Sequence, residues 1–265
     1  MWHDNCYFAA SDGVAIHYQD AGGPGVPILF VHGFTASIGG QWGRPGLIAG
    51  LRQKGWRTIA YDLRGHGKSE RPHGYEAYAN DRMGLDGIDL LDHLNIDKAH
   101  IVAYSLGAHI MVHTLQGHKD RALSLCLGGS AGRWDWTDKL TQAVHAEADE
   151  LETGSIIKHI LRQLPHHKPR PSDEELRQLS IKKLEGMDAV ALAGIKRAMP
   201  DHAITKEQMI SLAKAIATLG FVGTEDPQLP IFRDLAGFCK TLELVEIDRA
   251  SPWQLPRQTR NAFSR

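Results

Sequence analysis

The chain alternates between short runs that are apolar almost throughout and longer stretches in which apolar residues recur every three or four positions. The runs at 14–19, 27–31, 57–61, 99–104, 122–127, 217–222 and 241–247 are rich in Val, Ile and Leu and predict strands. Several are too continuous for a half-exposed sheet and fit strands covered on both faces. A further edge strand is predicted near 5–10. Between them, 46–54, 76–94, 105–117 and 230–239 read as helices; in the second, Leu85, Ile88 and Leu91 form one stripe. Strand alternating with helix predicts the α/β class: an open, mostly parallel, eight-stranded sheet flanked by helices. Ligands in such sheets bind outside the carboxyl ends of the strands.

Residues 130–212 interrupt this alternation and read as helical throughout. Ser172 with Glu175, and Thr205 with Gln208, have the spacing of capping boxes. The stretch from His166 to Pro171 reads as a loop between helices. Paired His166 and His167 have no neighbours that complete a metal-ligand set, so no metal site is predicted. The organisation expected is a core domain of residues 1–129 and 213–265 with a helical lid, 130–212, inserted into it.

Composition narrows the possibilities. With 265 residues, 42% of them apolar, the chain can bury a full core. A formal net charge of −1 provides no basic field for nucleic acid and no acidic tail for a cationic partner. No apolar run approaches membrane-spanning length, and the first residues lack a signal stretch. Cys6, Cys126 and Cys239 are odd in number and far apart, which reads as reduced thiols in a cytoplasmic protein.

The densest chemical signal is Ile101-Val102-Ala103-Tyr104-Ser105-Leu106-Gly107-Ala108. An apolar run ends in a serine with small residues two positions to either side, and a helix follows at once. This is the pattern of a nucleophile elbow, where a strained turn lifts the serine to its apex and bulky flanks would collide. The Leu106 N–H would then point at the reacting carbonyl. Ile28-Leu29-Phe30-Val31-His32-Gly33-Phe34 is a strand running into a turn whose Phe34 N–H supplies a second oxyanion donor. Tyr61-Asp62-Leu63-Arg64-Gly65-His66-Gly67-Lys68-Ser69 follows the next strand with turn-forming glycines, and Leu219-Gly220-Phe221-Val222-Gly223-Thr224-Glu225-Asp226 is a late strand ending in acids.

In order and spacing these segments resemble the α/β-hydrolase family over nearly the whole chain. The resemblance implies a serine hydrolase that cleaves a small carboxylic ester through an acyl-enzyme on Ser105, with no metal or organic cofactor and a small-molecule partner. It implies that Asp226 orients a histidine, with Glu225 and then Asp135 as alternatives, and that His32 and His66 shape turns. It also places the histidine after the last strand, where Pro252 stands; no histidine lies between 203 and 265. Replacement bases to consider are His202, His145, His159, His109 and His113. Trp42, Tyr104, Trp134, Trp136 and Trp253 fall in segments near the predicted cleft, and Tyr104, Trp134 and Trp253 are the candidates for a substrate pocket. Two other functions stay open: a non-catalytic binding protein or receptor that keeps the cleft, and a C–C hydrolase or lyase on the same scaffold.

Overall fold

The apolar runs pair side by side. The computed structural model describes residues 6–43, 46–164 and 169–250. Eight strands form one sheet: β1 (Cys6–Ala9), β2 (Ala15–Asp20), β3 (Pro27–Val31), β4 (Arg57–Tyr61), β5 (Ala99–Tyr104), β6 (Ala122–Gly128), β7 (Ala217–Gly223) and β8 (Leu242–Ile247). Their order is β1-β2-β4-β3-β5-β6-β7-β8. The β1–β2 and β2–β4 pairs are antiparallel and all others parallel.

The period of two along a strand divides the core. In β3, Leu29 and Val31 join a large apolar cluster on one face, while Ile28 and Phe30 join a smaller one with Trp42 and Ile48 on the other. Helix α1 (Leu47–Gln53) contributes to the smaller cluster; α2 (Arg82–His93) and α3 (Leu106–Thr114) contribute to the larger. Trp42 is 2% exposed against the Phe30 ring, so it is a core residue and not a cleft aromatic.

The helix read over 76–94 begins later than its apolar pattern suggests. Tyr75–Ala77 is a single 3-10 turn, Asn80 takes a left-handed φ of 54°, and only Arg82–His93 is α-helical. The Asn80 N–H donates to Asp201 Oδ2 at 3.1 Å, a contact that stabilises the break.

Between β6 and β7 the described residues form five α-helices: α4 (Asp138–Glu152), α5 (Ile157–Arg162), α6 (Asp173–Leu184), α7 (Ala189–Ala198) and α8 (Lys206–Ala215). Both predicted capping boxes are present. Ser172 accepts from the Glu175 N–H and Thr205 from the Gln208 N–H, with each third residue reaching back. Helix α7 is buried on nearly every side and lies against the 74–78 turn. A Cβ on Gly194 would fall 2.9 Å from the Tyr78 ring, so the approach requires glycine. A last helix, α9 (Leu229–Phe238), precedes β8.

Register positions the site. Val31 of β3 is level with Ala103 of β5, Tyr104 with Gly128 of β6, and Gly128 with Phe221 of β7. The turns after these four strands therefore open on one edge of the sheet.

Candidate active site

Ser105 sits between β5 and α3 with φ 52° and ψ −112°. A non-glycine residue there is strained, at about 1–3 kcal/mol, and is held by its surroundings. Its N–H donates to Gly128 O at 2.7 Å, and its carbonyl accepts from the His109 N–H at 3.0 Å as α3 begins. Gly107 makes the sharp turn possible: a Cβ there would lie 2.5 Å from Val31 O and 2.6 Å from His32 O. The Ser105 side chain is partly exposed and has no hydrogen-bond partner among the described residues.

The turn after β3 is braced from below. His32 Nδ1 donates to Gly33 O at 2.8 Å, and its Nε2 accepts from the Leu63 N–H at 3.0 Å. His66 Nε2 accepts from the Thr35 N–H at 3.1 Å, and its Nδ1 faces Arg64 O. The Gly33 N–H donates to Gln41 Oε1. Burial holds His32 below the usual imidazole pKa and brings His66 down to about 3. Both rings are neutral and fully engaged, in keeping with the turn-shaping role the resemblance implies. Asp62 completes the brace by accepting from the Ile38 and Lys68 N–H groups and from His17 Nδ1. Burial alone would raise its pKa, but these donors and nearby His32 lower it.

Asp226 lies in the turn after β7 and is 5% exposed. Oδ1 accepts from the Gln228 N–H at 2.8 Å, while Oδ2 is buried with no partner among the described residues. Burial raises this carboxyl to about pKa 6. The neighbouring turn residue Glu225 is less buried, and Asp135 is exposed and pairs with Arg133.

Ser105 and Phe34 border two cavities. One, of about 490 Å³, is also lined by Tyr104, Arg71, Gln163 and Met187. The other, about 60 Å³, is lined by Leu106, Arg133, Arg162, Lys196 and Gln228. Tyr104 reaches the larger cavity although its ring is mostly buried near Phe221. Trp134 lines neither; it packs edge-on to Phe238 because the start of the inserted segment turns it toward α9. Pro252, Trp253, His166 and His167 lie outside the described residues.

Residues 26–153 match the family model described as the alpha/beta hydrolase fold. The chain has the α/β-hydrolase fold. It is 27% identical to 3-oxoadipate enol-lactonase 1 of Acinetobacter baylyi over 87% of this chain and 86% of that protein. It is 32% identical to epoxide hydrolase A of Mycobacterium tuberculosis over 43% of this chain, a match that spans only 35% of the relative. A thermophilic esterase from Thermogutta terrifontis superimposes with a TM-score of 0.79 at 20% identity, over 98% of this chain and 96% of that one.

The histidines divide clearly. His145 is exposed on α4 and lines neither cavity. His113 pairs with Asp81, and His202 is buried beside it, away from both cavities. His109 borders the small recess, where burial pushes its pKa far down and Trp136 stacks on its ring.

His159 borders both cavities, but its Nδ1 lies 3.1 Å from Lys196 Nζ. The same Nδ1 lies 3.4 Å from Glu147 Oε2, so it sits between an ammonium and a carboxylate. Burial, then the Lys196 charge, lower its pKa to about 3. That ring is a poor acceptor for the Ser105 proton.

A buried ionic cluster went unnoticed in the sequence. Glu147 on α4 pairs with Lys196 on α7 at 2.6 Å and with Arg162 on α5. Lys196 Nζ also sits 4.2 Å from the centre of the Phe34 ring. One signal was available: Glu147 shares the buried face of α4 with Val144, Ala148 and Leu151. An acid on an apolar stripe calls for a partner. Among the described residues no group of His, Cys, Asp and Glu is arranged to hold a metal, and no helix is long and apolar enough to cross a membrane.

Proposed function

We propose that this α/β-hydrolase is a serine hydrolase of small carboxylic esters. The observation that carries the reading is Ser105, held at a strained elbow where two cavities meet. Ser105 Oγ attacks the acyl carbonyl as its proton passes to a base. The Phe34 and Leu106 N–H groups receive the developing oxyanion, each contributing on the order of 3 kcal/mol. The alcohol departs with a proton, and water then cleaves the acyl-enzyme. The helices of residues 130–212 act as a lid over this edge of the core formed by 1–129 and 213–265.

Asp226 supports the imidazole in this scheme, and its partnerless Oδ2 is the acceptor that such a ring requires. With Pro252 at the position where the family resemblance puts that ring, either another group serves as the base or the serine chemistry is crippled. Loss of the base in a serine triad costs on the order of a million-fold in turnover, leaving roughly 10³–10⁴ over water.

A fluorophosphonate that labels Ser105 but not the Ser105→Ala variant is the expected result. Pro252→His is expected to raise p-nitrophenyl ester hydrolysis at least about a hundredfold, with all activity lost on adding Ser105→Ala. Absence of labelling would favour the binding-protein alternative.

A further inference from the structure

The small recess beside Ser105 is unusually cationic. Arg133, Arg162 and Lys196 line it, and no acidic side chain does. Behind its wall a single carboxylate, Glu147, is shared by Arg162 and Lys196. Arg133 is 11% exposed, lies 5.5 Å from the centre of the Trp136 ring and makes one long ion pair of 3.5 Å to Asp135, itself 41% exposed. Its other guanidinium N–H groups have no acceptor among the described residues. His159 borders the same space. Charges removed from water in this way are costly unless an anion joins them. A guanidinium fork matches a carboxylate in shape as well as charge.

Size limits the occupant. A water needs roughly 10–15 Å³ of such space, so about 60 Å³ admits a carboxylate and little more. The remainder of a ligand would extend past Ser105 into the cavity of about 490 Å³, which shares Phe34, His159 and Gln163 as borders.

We propose that this recess binds a carboxylate of the substrate, so that the ester or lactone cleaved at Ser105 carries a second, ionised acid group. The identity of the ligand as substrate rests on Ser105 being the nucleophile proposed above; the anion site does not.

The test is thermal unfolding of the whole protein with glutarate, with its uncharged diamide as control. Glutarate is expected to raise the midpoint by about 2 °C or more and the diamide not at all. Arg133→Gln should abolish the shift and Arg133→Lys should keep part of it. Arg133 suits substitution because its one ion pair, to the exposed Asp135, is long.

A second readout compares p-nitrophenyl hemiglutarate with p-nitrophenyl valerate. The ratio of their kcat/KM values should favour the anionic ester and fall roughly tenfold or more in Arg133→Gln. No shift with glutarate, or the same shift in Arg133→Gln, overturns the subsite. Ser105 labelling by fluorophosphonate reports separately on the hydrolase reading: a labelled protein indifferent to glutarate keeps the hydrolase and loses the subsite. An unlabelled protein stabilised through Arg133 keeps the subsite and loses the hydrolase.

Discussion

Asp226 illustrates how a single carboxyl links site chemistry to stability. Burial raises its pKa from 3.8 to about 6, because Oδ2 has lost water and found no donor among the described residues. The folded chain therefore holds this proton to higher pH than the unfolded chain does. The stability it contributes is complete below about pH 4 and is lost as pH rises through 6. Asp226→Asn removes that dependence. Relative to the variant, the natural chain is expected to lose on the order of 2–3 kcal/mol between pH 4 and pH 8, read from urea unfolding at both values. A flat difference would mean that a donor reaches Oδ2 in solution.

Strand β5, the elbow and α3 work as one unit. The strain at Ser105 persists because Gly107 lets the first turn of α3 lie against the carbonyls of Val31 and His32. Gly107→Ala forces these apart and is expected to cost about 1–3 kcal/mol in urea unfolding and to reduce Ser105 labelling. The capped helices give a milder contrast. Ser172→Ala and Thr205→Ala each remove the acceptor for an N–H in the first turn of α6 or α8, at about 1 kcal/mol apiece. Neither cap borders a cavity, so labelling of Ser105 should be retained in both.

The molecule is joined across its parts by buried charge as well as apolar packing. Glu147, Arg162 and Lys196 tie α4, α5 and α7 together, and α7 in turn seats on the 74–78 turn of the core. Burial lowers the Lys196 pKa to about 8 even with Glu147 beside it. Glu147→Gln leaves a 1%-exposed lysine without its carboxylate. The expected cost is about 3–5 kcal/mol, since removing one member of a buried pair strands the other. Urea unfolding followed by tryptophan fluorescence at pH 7 measures it; a loss below about 1 kcal/mol would show that water already reaches the cluster.

The features legible in the chain are those whose causes are local. Strand runs reflect burial of each residue, capping boxes act over three positions, and an elbow needs small residues within two positions of its serine. Ser105 and the turn at His32-Gly33-Phe34 could therefore be named from their immediate neighbours, whereas Asp226 is named through the family resemblance. The false start of α2 has a distant cause: a carboxylate on Asp201, 121 positions away, receives the Asn80 N–H at the break. Trp42 and Trp134 depart from the sequence expectation for the same reason, because whether an aromatic ring faces a cleft or a core depends on what folds against it. The cationic recess is the clearest case. Arg133, Arg162 and Lys196 come from separate parts of the inserted segment, and no spacing rule connects them. Arg133 precedes α4, Arg162 ends α5 and Lys196 lies on α7, and they meet beside Ser105 only through tertiary packing.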